Sequence, residues 1–213
     1  MISINRTIIT LLVFGTVFCQ EHKPLRPVST YSIVAVDQET GQMGVAVQSH
    51  WFSVGSLVTW AEPGVGVVAT QSFVRPEYGP ELLHLMSRGY SAKTAINKLT
   101  AQDTERNVRQ IGVVRIDGQS ASYTGEDCVS FASGLEGAGY AIQANIMANP
   151  GVPEAMELAY LTTKGSLADR LYAALVAAEE AGGDLRGRQS AALLVVPKEK
   201  VDNLLSSKIY DII

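Results

Sequence analysis

Two nearly unbroken apolar stretches, residues 32–37 (Ser-Ile-Val-Ala-Val-Asp) and 43–48 (Met-Gly-Val-Ala-Val-Gln), constrain this chain more than anything else in it. The turn between them, around Glu39-Thr40-Gly41, reads as the tip of an antiparallel hairpin. A hairpin with one face in water alternates apolar and polar residues, and this one does not. Both of its faces should therefore be covered.

The rest of the chain supplies the cover. Residues 51–60 read as an irregular strand, and residues 64–71 (Gly-Val-Gly-Val-Val-Ala-Thr-Gln) as a buried one whose glycines let another backbone approach closely. A helix over 80–88 closes at Gly89. Ser91 caps a second helix that carries Ala95, Ile96 and Leu99 on one face. Strands at 109–116 and 119–123 flank Asp117-Gly118, a strong short hairpin signal, and 140–147 reads as another strand. Helices over 153–161 and 167–180 follow, then a last apolar strand at 189–196. Runs of strands alternating with pairs of helices belong to antiparallel sheets with helices packed outside. The expected fold class is α+β, a four-layer α-β-β-α sandwich of two antiparallel sheets covered by helices. Residues 197–213 carry Leu204, Leu205, Ile209, Ile212 and Ile213 in no period that places them, and are read as a C-terminal tail.

The first nineteen residues read as an export signal. Arg6 supplies a positive start, and the apolar stretch 8–18 falls short of the roughly 20 residues a spanning helix needs. Val17 and Cys19 suit the −3 and −1 positions of a signal-peptidase site, which places cleavage before Gln20 and the protein in the periplasm or outside the cell. A lipid anchor on Cys19 is the rival reading, and Phe18 speaks against it because a lipobox takes a small residue there. Residues 20–29, with two prolines and mixed charge, form a flexible lead-in or propeptide. The domain proper is residues 30–196. Its 46% hydrophobic content over the chain excludes disorder, and a net charge of −4 without a Lys/Arg cluster argues against a nucleic-acid partner. After export Cys128 would be the one cysteine left, read as a small packed residue with a thiol nucleophile as the alternative.

The stretches 30–49 (TYSIVAVDQETGQMGVAVQS), 64–72 (GVGVVATQS), 78–99, 109–114, 123–128 (YTGEDC) and 181–196 (AGGDLRGRQSAALLVV) resemble, in order and spacing, the family catalogued as domain of unknown function 1028. That family is a branch of the N-terminal-nucleophile (Ntn) hydrolase superfamily, and the resemblance implies its α-β-β-α fold. It implies no substrate. Family members usually begin almost at the Thr that stands here at position 30, whereas this chain adds a leader and a lead-in.

A free N-terminal Thr holds both catalytic halves in one residue: its hydroxyl attacks a carbonyl while its own α-amine, with an ordinary pKa of about 7.7–8.0, takes the proton. An internal Thr has an amide in place of that base. Catalysis through Thr30 therefore requires a cut between Ser29 and Thr30, ten residues past the signal-peptidase site. Ser29 and Ser32 are alternative nucleophiles, and Thr30 as a mere strand opener is the plain alternative. Proteasome-like relatives of the superfamily keep a lysine beside the nucleophile, but residues 58–62 (Val-Thr-Trp-Ala-Glu) offer none. Polar residues at strand ends that would converge on Thr30 are Ser49, His50, Gln71, Ser72 and Asn145, with Asn145 or Gln71 as oxyanion donors. Arg109 with Gln110 beside it, and Asp184, Arg186, Arg188 and Gln189, would hold an anionic substrate or form ion pairs that order their loops. The histidines at 22, 50 and 84 have no metal-site spacing, so neither a metal nor another cofactor is expected.

The expected function is an exported amidohydrolase acting on a small-molecule or peptide substrate. A cell-wall peptide is the first substrate guess, from export and from the accessory domain some relatives carry. The alternatives are a non-catalytic binding or scaffold protein that keeps the fold, and an enzyme using other residues of the same cleft. Exposed sheet edges point to a homo-oligomer.

Overall fold

The structure, a computed structural model, describes Val28, residues 30–200 and the backbone of residues 210–212. The export signal and nearly all of the lead-in lie outside the described residues.

The hairpin forms as expected. Strands β1 (Thr30–Val36) and β2 (Met43–Ser49) pair antiparallel from Thr30↔Ser49 to Val36↔Met43, and every residue of both is buried. Alternation sends Tyr31, Ile33 and Ala35 to one apolar cluster and Val34 and Val36 to another. The sheet is thus covered on both faces. Residues 51–60 depart from the expected irregular strand. They form a one-turn helix α1 (Gly55–Val58) followed by β3 (Thr59–Glu62), because the Thr59 hydroxyl bonds back to the Gly55 carbonyl and the Trp60 indole to that of Leu57. Strand β4 (Gly66–Ser72) is wholly buried.

Helices α2 (Tyr78–Ser87) and α3 (Ala92–Thr100) follow, and the Ser91 hydroxyl accepts the Thr94 N–H at the start of α3. Strands β5 (Arg109–Arg115) and β6 (Ser120–Thr124) turn at Gly118, whose φ of 85° suits a residue without a Cβ. An unexpected strand β7 (Ser133–Gly137) precedes β8 (Tyr140–Asn145). Then come α4 (Val152–Thr162) and α5 (Leu167–Glu180), the second opened by a Ser166–Asp169 capping box. Strand β9 (Ser190–Val196) is joined by β10 (Tyr210–Ile212), which places part of the tail on a sheet edge, Tyr210 opposite Val195 and Ile212 opposite Leu193.

Two antiparallel sheets result, ordered β10-β9-β2-β1-β8-β7 and β3-β4-β5-β6. They pack face to face, with α4 and α5 on the outside of the six-stranded sheet and α2 and α3 outside the four-stranded one. This is the expected four-layer α-β-β-α sandwich. One half of the space between the sheets is filled by Val34, Val45, Val47, Val67, Ala69 and Val114. The other half is polar. Among the described residues no helix is long and apolar enough to cross a membrane.

Candidate functional site

The polar half of the inter-sheet space is built around the first residue of β1. Thr30 lies between Ser49 of β2 and Asn145 of β8 in the ladder, so the three side chains form one row on the inner face. All three are fully buried. The Thr30 hydroxyl donates to the Val28 carbonyl at 2.7 Å and lies 3.3 Å from the Ser49 hydroxyl. The opposite sheet contributes Gln71 of β4 and Gln110 of β5, a cross-strand pair. Gln71 Nε2 donates to the Thr30 carbonyl at 3.1 Å and to Gln110 Oε1 at 2.7 Å, while its Oε1 accepts the Ser32 hydroxyl at 2.6 Å.

Gln110 is the hub of this network, a place that pairing it with Arg109 in the sequence did not foresee. Its Oε1 accepts from both Gln71 and Asn145 Nδ2, the latter at 2.8 Å, and its Nε2 reaches the Thr124 hydroxyl and the carbonyls of Ser133 and Ala144. The one available signal was its place in β5: it shares an inner face with Gly112 and Val114, so a glutamine there has to be buried and bonded. Gly112 is needed for a second reason, since a Cβ would collide with the Gln143 amide laid across it. Asn145 Oδ1, by contrast, is buried and has no hydrogen-bond partner among the described residues. The donors expected to face an oxyanion, Asn145 Nδ2 and Gln71 Nε2, are both engaged in this state.

The strands end sharply at this site. Ser72, just after Gln71, has φ 67°, and Ile146, just after Asn145, has φ 57°. Left-handed backbone is uncommon outside glycine, most of all at a β-branched residue such as Ile146, and costs on the order of 1–3 kcal/mol, so both turns are held by the surrounding packing. Ser72 in turn exchanges two backbone hydrogen bonds with Val28, at 2.7 and 3.2 Å. The chain leading into Thr30 therefore crosses from one sheet to the other.

The remaining expected residues fall in three places. His50 follows Ser49; its N–H donates to Asp184, and its Nδ1 lies 3.2 Å from the Gly187 carbonyl. Asp184, almost fully buried, also accepts the Arg186 N–H and guanidinium, so this pair orders the 184–188 loop beside His50. Arg188 and Gln189 are exposed, Arg188 lying 3.5 Å from Glu179. Arg109 turns the other way from Gln110, to the α2–α3 side of its sheet. There its guanidinium is bound to Asp103 at 2.9 Å, to Glu105 at 2.6 Å and to the Phe73 carbonyl. Burial raises the Asp103 pKa, but hydrogen bonds from Arg109, the Glu105 N–H and Tyr78 outweigh it and hold the carboxyl at about 2.

No Lys or Arg side chain bonds to the Thr30 network among the described residues. Glu62, at the end of β3, instead pairs with Lys200 at 2.8 Å. Cys128 donates to the Arg109 carbonyl at 3.3 Å, and burial pushes its thiol up, which fits a packed residue. Among the described residues no group of three or more His, Cys, Asp or Glu side chains is placed to hold a metal ion. A cavity of about 250 Å³ lies on the α5 side of the six-stranded sheet, lined by Tyr31, Gln48, Tyr172, Leu175, Val176 and Leu193. The sheet itself separates it from the Thr30 row.

Among curated proteins none matches the chain. A crystal structure of the protein SPO2555 from Silicibacter pomeroyi, of family-model DUF1028, shares 31% identity and a TM-score of 0.74 over 79% of this chain and 74% of that one. Anbu, the ancestral β-subunit from Yersinia bercovieri, aligns over 78% of this chain and 80% of its own at 12% identity and a TM-score of 0.38. The model of the family of unknown function DUF1028 matches from Thr30 itself, over residues 30–211, and the chain belongs to that family.

Proposed function

We propose that this chain is an exported amidohydrolase of the N-terminal-nucleophile type, which cleaves an amide or peptide bond with Thr30 as nucleophile. The observation that carries this reading is the place of Thr30. It opens a strand paired on both sides, its hydroxyl sits in a buried polar row with Ser49 and Asn145, and the stretch shared with the family begins at the same residue.

The chemistry has two stages. In the first, Thr30 Oγ1 attacks the Ser29 carbonyl carbon, the Ser29–Thr30 C–N bond breaks, and water hydrolyses the resulting ester. Ser29 is left as a carboxylate and Thr30 with a free α-amine. In the second, that amine takes the hydroxyl proton as Oγ1 attacks the substrate carbonyl, and passes it to the departing amine; water then releases the acyl group. Asn145 Oδ1, an acceptor without a donor, supports the reading, because the released amine brings donors to the row in which it sits. With the Asn145 and Gln71 amides engaged, oxyanion stabilisation falls to backbone N–H groups or to a re-paired Asn145.

A second reading, a non-catalytic exported binding or scaffold protein, is favoured by one observation. Val28 is fully buried and bridged to Ser72, as a permanent part of the fold would be. Intact mass and N-terminal sequencing of protein recovered from an exporting host, beside a Thr30→Ala variant, separate the two. A wild-type chain starting at Thr30 with the variant stalled upstream is expected. Both chains starting at Gln20 would remove the base from the mechanism and leave the binding protein.

A further inference from the structure

We infer that the seat of Val28 is the acyl-side subsite of the mature enzyme, and that its substrate is an extended peptide. The residue giving up its carbonyl is small, and the one before it is aliphatic and β-branched. This rests on Thr30 being the nucleophile.

Self-cleavage and turnover put the same kind of carbonyl carbon against the same oxygen, Thr30 Oγ1. The acyl chain leading to that carbon must approach by a route the fold permits, and the structure shows a chain already on it. Val28, two residues before Thr30, is held by both of its backbone polar groups: its N–H donates to the Ser72 carbonyl at 2.7 Å, and its carbonyl accepts the Ser72 N–H at 3.2 Å. The same carbonyl accepts the Thr30 hydroxyl at 2.7 Å, which ties the docked segment to the nucleophile. The side chain is fully buried in the apolar cluster that includes Val47, Val54, Val58 and Ala69, with Trp51 and Leu57 packed against it.

Once the lead-in departs, this arrangement leaves three things open: a backbone donor and a backbone acceptor on Ser72, and an apolar seat for one branched side chain. Together they form an antiparallel docking edge one residue long, which is recognition by strand addition. The donor and acceptor of Ser72 require a peptide group in the ligand, so a simple aliphatic amide lacks the matching pair. The apolar seat rejects a charged residue, which would be buried there without a partner. Specificity for the acyl chain follows from the 28–72 bridge.

The test uses processed protein, its N-terminus verified by mass, and three anilides that differ at one position: N-acetyl-Val-Ser, N-acetyl-Gly-Ser and N-acetyl-Asp-Ser. Loss of a buried branched side chain and burial of a charge each correspond to a factor of ten or more. The expected kcat/KM for the valyl compound is therefore at least tenfold above the glycyl one, and higher still above the aspartyl one. In the precursor, Val28→Asp should slow the Ser29–Thr30 cut at least tenfold while Val28→Ile keeps it, so a general folding defect is told apart by the second variant. A processed enzyme that hydrolyses other amides but shows no valyl preference, or turns over none of the three, overturns the subsite and leaves Thr30 as nucleophile. A wild-type chain never cut at Thr30 overturns both.

Discussion

Replacing Gln110 by Met keeps an unbranched side chain of similar length and removes every polar atom from the centre of the Thr30 network. Gln110 is fully buried, and its amide accepts from Gln71 and Asn145 and shares its two N–H groups among three acceptors, Thr124, Ser133 and Ala144. The partners do not lose equally. Gln71 Nε2 keeps the Thr30 carbonyl, but Asn145 Nδ2 loses the acceptor it has here, and Asn145 Oδ1 already has no partner. The Thr124 hydroxyl and the two carbonyls each lose a side-chain donor, and the hydroxyl can still donate elsewhere. One wholly orphaned buried amide and two weakened carbonyls, at about 1–3 kcal/mol for a full loss, give a destabilisation of about 3 kcal/mol. For a domain of this size that is a fall in melting temperature of roughly 6–12 °C. Urea unfolding followed by tryptophan fluorescence reads it as a lower midpoint at unchanged slope. A loss under about 1 kcal/mol would refute the reasoning, because it would mean that water or a rearranged Asn145 already satisfies these groups. Exposed Gln119→Met is the control and should stay within about 0.5 kcal/mol.

Three further outcomes are expected. The Asp103 carboxyl, held at about 2, has a lower pKa in the folded chain than in the unfolded one. Its contribution, on the order of 1–2 kcal/mol, is therefore complete above about pH 4 and lost as pH falls toward 2; Asp103→Asn should lower stability at neutral pH and flatten the acid limb of a stability–pH curve. Gly112→Ala should destabilise by about 1–3 kcal/mol by pushing the Gln143 amide off its seat, and adding Gln143→Ala should recover part of that loss in a double-mutant cycle. Burial raises the Cys128 pKa, so in a Cys19→Ser background a thiol reagent at pH 8 should label native protein at least tenfold more slowly than the urea-unfolded chain.

The sandwich was legible because its central hairpin advertises burial on both faces, a signal carried entirely by side chains. Strand β7 was not legible for the converse reason. Its Ser-Gly-Leu-Glu-Gly sequence has two glycines and exposed positions, and it is a strand because its backbone zips onto β8 from Ser133↔Ala144 to Gly137↔Tyr140. The turn of α1 hid in the same way, since four residues are too few to show a helical period. At the site, Ser49, Gln71 and Asn145 could be picked out as polar residues ending apolar strands; the ladder brings Ser49 and Asn145 to Thr30, and the packing of the second sheet brings Gln71. Gln110 could not be ranked above Arg109 without the register of β5 against β4. A shift of one residue would have put the arginine inside and the glutamine under α2 and α3.

The strand order also sets a clock. The four-stranded sheet and its helices come from one uninterrupted span, residues 59–124, whereas the six-stranded sheet draws on both ends of the chain and closes only when β8 and β9 arrive. Thr30 leaves the ribosome early, but Asn145, its neighbour in the ladder, is made more than a hundred residues later. Pairing across so large a separation is slow. Thr30 is thus present in every nascent chain and surrounded in none until the last layer has zipped shut. A cut before Thr30 would date each molecule to the far side of its own folding, so the severed fraction in a pulse-labelled culture would count finished sandwiches.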